Sequence, residues 1–122
     1  MSEQSISDEE FSLIRDYCIL PMMIHMVNRN KDMMKNSDYT IKTLFVSSGE
    51  VLLRIIEKDL SEVRRKVRKI NAKVTEVKRN SEGVMYEIRL RGYQTEVSLV
   101  RHVVKNEMSS RLSRYIEGMF KA

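Results

Sequence analysis

The 122-residue chain has one cysteine, one proline and four glycines, and each scarcity removes a class of protein. One cysteine cannot build an intrachain disulfide framework, so a reducing cytoplasm is the expected setting. So little proline and glycine leaves few turns, which points to long regular elements and a helix-rich protein. The only histidines are His25 and His102. Neither has a second His or a Cys at ligand spacing, so no metal is expected. No nucleophile-elbow sequence and no glycine-rich phosphate loop occurs. The acids Glu9 and Glu10, and Glu57 and Asp59, read as helix-end and surface charges. No catalytic residue and no cofactor is therefore expected, and the chain reads as a non-enzyme. No apolar run follows a basic N-terminal segment. The longest apolar stretch, CILPMMIHMV, is about ten residues long and carries Pro21 and His25, half of what a bilayer crossing needs. No membrane partner is expected.

What is present is a globular composition, 42% hydrophobic and 32% charged, over a length that suits a single domain. Residues 1–6 are expected to be a disordered terminus and 7–122 the domain. The net charge of +5 is unevenly placed. Residues 1–60 hold seven basic and ten acidic side chains, residues 61–80 eight and two, and residues 81–122 seven and five. The basic excess thus sits in and just after twenty residues. A localised patch of this kind points to a polyanionic partner.

Ser7 and Glu10 form a capping-box pattern that opens a helix. Phe11, Ile14, Cys18, Met22 and Met26 continue it at three- and four-residue spacing. Pro21 predicts a kink or restart, with the second piece ending near Lys35. Asn36, Ser37 and Asp38 break the pattern. Residues 39–50 read as a short helix on Ile41, Leu44, Phe45 and Ser48, although Tyr39, Ile41 and Thr43 also alternate as a short strand would. Ser47 with Glu50 repeats the capping-box pattern ahead of an apolar series that keeps helical period to Ile70. Residues 50–71 are either one helix or two helices joined near Lys58–Leu60. An antiparallel two-stranded β-hairpin follows over about 73–91, with Val84, Tyr86, Ile88 and Leu90 on one face and NSEG as the turn. Val97, Val100, Val104, Met108 and Leu112 then predict a long C-terminal helix from Thr95 to about Phe120. The expected class is α+β, mostly helical.

The basic segment SEVRRKVRKI sorts on a helical wheel. Val63, Val67 and Ile70 face inward, Arg65, Arg68 and Lys69 outward, and Arg64 and Lys66 flank them. The pattern Ser61-x-Val63-x-x-x-Val67-x-x-Ile70, followed by a basic hairpin, resembles the recognition helix and wing of winged helix-turn-helix domains over 50–93. That resemblance implies a winged-helix-like arrangement whose wing tip carries Lys78, Arg79 and Asn80. No glycine occurs in Glu57-Lys58-Asp59-Leu60 to mark the tight turn such domains use, which keeps the continuous helix open as the alternative. The expected nucleic-acid-binding set is Arg64, Arg65, Arg68, Lys69, Lys73, Lys78 and Arg79, with DNA ahead of RNA as partner. Lys and Arg also suit any solvated helix face. The basic residues have only Tyr86 and Tyr93 near them, too few aromatics for base stacking. Leu112, Ile116, Met119 and Phe120 are the expected homodimer interface, because the apolar stripe runs to the end of its helix. The competing reading is a protein-interaction or structural module that uses this helix and the methionine-rich segment Met22–Met34.

Overall fold

The computed structural model describes residues 5–121, so residues 1–4 of the expected disordered terminus lie outside the described residues. The order of elements is α1 (Asp8–Lys35), α2 (Lys42–Lys69), β1 (Lys73–Asn80), β2 (Gly83–Leu90), β3 (Tyr93–Val100) and α3 (Arg101–Met119). The chain is α+β and mostly helical.

The capping box forms as the sequence requires. The Ser7 Oγ accepts from the Glu10 amide at 3.1 Å, and the Glu10 Oε1 accepts from the Ser7 amide at 2.9 Å. Helix α1 then runs through Pro21 as one element, although Pro21 has no N–H for the Tyr17 carbonyl. The expected restart is therefore not present. The stretch expected as a short helix at 39–50 is not a separate element: from Lys42 it is the beginning of α2, which is unbroken through Lys58–Leu60. Ser47 and Glu50 lie inside it, where the amides already have helical partners, and they cap nothing. Of the two alternatives for 50–71, the single helix holds, so no tight turn precedes the basic segment. Asn71, at φ 57°, ends the helix in the left-handed conformation that asparagine tolerates.

The hairpin is two strands of a three-stranded antiparallel sheet in the order β1-β2-β3. The spacing of Val97, Val100 and Val104 predicts helix from Thr95. Instead Arg91 and Gly92, at φ 52° and 82°, make a two-residue reversal of the type that matches strand twist. Tyr93 then pairs with Leu90, and Val97 with Tyr86. The long C-terminal helix begins only at Arg101 and is 19 residues, about five turns instead of about seven.

A single core joins the layers. Ile14, Ile19 and Met23 from α1, Ile56 from α2 and Ile88 and Leu99 from the sheet are almost wholly buried, with Val104 of α3 added at the edge. Ile6 also packs against this core. Helix α3 has one buried anchor, Val104, with Met108, Leu112, Tyr115 and Met119 packed half-buried along the same stripe. It is held by polar contacts as well. Arg15 reaches Glu107 at 2.6 Å, Arg111 reaches both Asp16 and Glu107 at 2.8 Å, and the Tyr115 hydroxyl donates to Asp59 at 2.6 Å. The hydrogen bond from Arg15 is the main reason the Glu107 carboxyl lies below the usual carboxylate range. Burial works against the Arg111 charge, but its bonds to Asp16 and Glu107 more than offset that. The far part of the α1–α2 hairpin has no such support. No residue of 28–51 is buried, and Met33, Tyr39, Ile41, Leu44 and Phe45 are exposed.

Two expectations follow. A Cβ on Gly83 would stand 2.1 Å from the Leu99 carbonyl oxygen, backbone that cannot step aside. Gly83→Ala should therefore cost more than ~1 kcal/mol in urea unfolding. Gly118→Ala, in a helix with nothing within 4 Å, should be neutral or stabilise by up to ~1 kcal/mol. Equal effects of the two would show that the β2–β3 approach is not tight. The second expectation concerns Glu10, whose carboxylate Arg91 clamps at 2.6 and 2.7 Å while also bonding the Ser5 carbonyl. The Arg91 hydrogen bonds, followed by that from the Ser7 amide, lower the Glu10 pKa from 4.5 to about 2. A carboxylate depressed in the folded state adds stability above its unfolded pKa and loses it as pH falls through the folded one. Wild type should thus lose more stability than Glu10→Gln between pH about 4.5 and about 2, and parallel pH curves in thermal melts would refute the link.

Candidate functional site

Charge placement on this scaffold is decided by one irregularity. Strand β1 slips register between Glu76 and Lys78, so that Val77 is the extra residue of a bulge. Before the bulge, Val74 and Glu76 pair with Ile88 and Tyr86 on the inward face. After it, Arg79 pairs with buried Val84, and Lys78 with Met85. The two cations expected to act together at a wing tip therefore sit on opposite faces of the sheet. Lys78 shares the outer face with Lys73, which lies directly opposite Arg89.

The seven expected nucleic-acid contacts divide again by partnership. Arg65 forks onto Glu62 at 3.0–3.2 Å and Arg79 onto Glu76 at 2.8–3.2 Å. The Arg79 hydrogen bond is the main reason the Glu76 carboxyl titrates low. Arg64, Arg68, Lys69, Lys73 and Lys78 are exposed and have no carboxylate partner among the described residues, and Lys66 belongs with them. Three of these six, Lys66, Arg68 and Lys69, crowd the last turn of α2, where the helix dipole favours cations. Lys73 and Lys78 lie on a strand and have no such reason to be there.

A second feature was not foreseen. Between α1, the inward face of the sheet and the first turns of α3 opens a groove of about 930 Å³. Cys18, Val84, Leu99 and Val104 form its floor, and Met22, Met26 and Met108 line its sides. Its rim carries Arg29, Arg64, Arg79, Arg101 and Lys105, with Glu76 as the only carboxylate among the described residues. Of the expected residues the groove brings together only Arg64 and Arg79. Arg64 also shares a shallower hollow of about 600 Å³ with Arg68, Pro21 and Ile24. The signal available for the missed residues was the spacing of Arg101 and Lys105, four apart and flanking Val104. That spacing marks a helix face wherever the helix starts, and only the packing of α3 brings that face to the groove. Among the described residues no group of three or more His, Cys, Asp or Glu converges on a metal-sized site.

The expected dimer residues also divide. Leu112 and Met119 are half-buried against their own chain's core, whereas Ile116 and Phe120 are 43% and 78% exposed. No helix among the described residues is long and apolar enough to cross a membrane.

Comparison with known proteins places these features in context. The profile of a family described as "YhjD protein" matches residues 5–120. A Bacillus subtilis protein named "Uncharacterized protein YhjD" is 26% identical over 112 residues, which span 92% of this chain and 93% of that protein. No solved structure matches the chain.

The groove floor itself can be probed through Cys18. Burial pushes its thiol from 9.0 up to about 12, against a weaker pull from Arg15. Only the thiolate is alkylated. Iodoacetamide at pH 8 should label Cys18 at least roughly a hundredfold more slowly than a free thiol until the protein is unfolded. Labelling at the free-thiol rate in the native protein would mean that the floor is open.

Proposed function

The chain belongs to the YhjD protein family, and we propose that it is a non-enzymatic cytoplasmic protein that binds nucleic acid, DNA ahead of RNA. The observation that carries this reading is the row of exposed cations without carboxylate partners, Arg64, Lys66, Arg68, Lys69, Lys73 and Lys78, within fifteen residues. A folded chain gains little by holding unpartnered like charges close together. Lys73 faces Arg89 across the strand pair, where Glu87, at 3.1 Å from Arg89, only partly offsets the repulsion. Phosphates relieve that repulsion and release counterions in doing so. The pairs Arg65–Glu62 and Arg79–Glu76 are surface pairs of small worth, so these arginines can exchange their partner for a phosphate. With no separate recognition helix after a tight turn, the contacts are to backbone phosphates and carry little sequence preference.

A second reading, binding of a protein partner, is favoured by one observation: the exposed apolar tip of the α1–α2 hairpin, with Tyr39, Leu44 and Phe45. Self-association through Ile116 and Phe120 belongs to this reading.

Duplex DNA of mixed sequence tests the first. Affinity should fall steeply with salt, at about 0.9 log units per tenfold salt for each phosphate contacted. Arg68→Ala, Lys69→Ala and Lys73→Ala together should shrink that slope by roughly two to three, equally for unrelated sequences, with helical content unchanged. A folded triple variant that retains the full slope would remove these residues from the interface, and absence of any salt-sensitive retention would end the nucleic-acid reading.

A further inference from the structure

The groove shares Arg64 with the basic row but has a different chemistry. Its floor is apolar and uncharged, and the side walls are methionines, whose unbranched thioethers adapt to chains of variable shape. Its volume lies in the range of small-molecule sites. Four rim cations from three helices, Arg29 of α1, Arg64 of α2, and Arg101 and Lys105 of α3, have no carboxylate partner among the described residues. The lone acid at the rim, Glu76, is already neutralised by Arg79 at 2.8 Å.

Local structure does not account for two of those cations. Arg101 and Lys105 occupy the beginning of α3, whose first turn holds no acid. The positive end of a helix dipole disfavours cations there. Nothing in the fold repays that placement, whereas an anion lying across the groove does.

We infer that the groove binds a single-chain anionic lipid, with the acyl chain along the Cys18–Leu99–Val104 floor and the carboxylate head between Arg29, Arg64, Arg101 and Lys105. Charge complementarity selects the sign of the head, since guanidinium groups fork onto carboxylates. The apolar floor selects a chain over a compact anion. A bare nucleic-acid phosphate would leave the half-buried Met22, Met26 and Met108 above that floor in water. The inference shares only Arg64 with the nucleic-acid reading; Arg29, Arg101 and Lys105 belong to the groove alone.

The test is displacement of the fluorescent fatty acid cis-parinarate from the full chain by oleate, below its micellar range. Monoolein and oleylamine supply the same chain with a neutral and a cationic head, and octanoate the same head on a short chain. Oleate should bind saturably at one per chain and at least tenfold more tightly than each of the other three. Arg101→Gln with Lys105→Gln should weaken oleate at least tenfold while helical content and thermal unfolding hold, because both side chains are exposed. The Arg68→Ala, Lys69→Ala, Lys73→Ala variant should bind oleate as the wild type does, which separates failure here from failure of the nucleic-acid reading. Equal binding of oleylamine or monoolein would overturn the role of the cations, equal binding of octanoate the role of the floor, and no saturable oleate binding the site itself.

Discussion

The left-handed pair Arg91–Gly92 governs the last third of the molecule. By reversing the chain in two residues it lays Tyr93–Val100 along β2 and delivers α3 beside the turn between β1 and β2. There the Arg101 amide donates to the Glu82 carbonyl at 2.8 Å. The groove exists because α3 starts at that place. The same arginine whose backbone makes the turn reaches back to Glu10 and the Ser5 carbonyl, so the reversal and the start of α1 are fastened together. Once there, α3 is fixed to α1 through Arg15, Asp16, Glu107 and Arg111, a half-buried network that compensates for its thin apolar stripe.

Much of the architecture was legible in local patterns. The Ser7–Glu10 box, the helical spacing of the core residues and the alternation of Val84, Tyr86, Ile88 and Leu90 each express one physical period, and each appears in place. The failures come where two periods coincide. Val97 belongs both to the helical series Val97-Val100-Val104 and to the alternation Thr95-Val97-Leu99. Pairing with β2 and the Arg91–Gly92 dipeptide decide for the strand. Ser47 and Glu50 carry the letters of a cap but sit where no amide is free, which only the length of α2 reveals.

The site was less readable for a different reason. Sequence places charge on a helix face well, so Arg64, Arg68 and Lys69 are where the wheel puts them, outside the apolar stripe. A bulge has no such signature. Val77 looks like any strand residue, yet it moves Arg79 to the inner face and leaves Lys78 on the outer. Convergence across elements is hidden as well. Arg29 meets Arg64, Arg101 and Lys105 around one hollow only after all three helices have packed. The outcome is a molecule with two cationic surfaces of unlike shape. One is the exposed row over residues 64–78, and the other is the rim of a groove with an apolar bottom, with Arg64 common to both.

The strand order β1-β2-β3 has a kinetic side. Each strand pairs with its neighbour in the chain, and α1 packs against the helix that follows it. Loops to be closed are therefore short, and little entropy is lost before contacts begin to repay it. The exceptions are two returns to α1, that of the sheet, where Arg91 meets Glu10 across 81 positions of sequence, and that of α3, where Arg15 meets Glu107 across 92. The second closure depends on the sheet having already turned the chain around. A helical hairpin and a meander can each form locally in microseconds, and the docking of the last helix, which also finishes the groove, is the step that must wait for both.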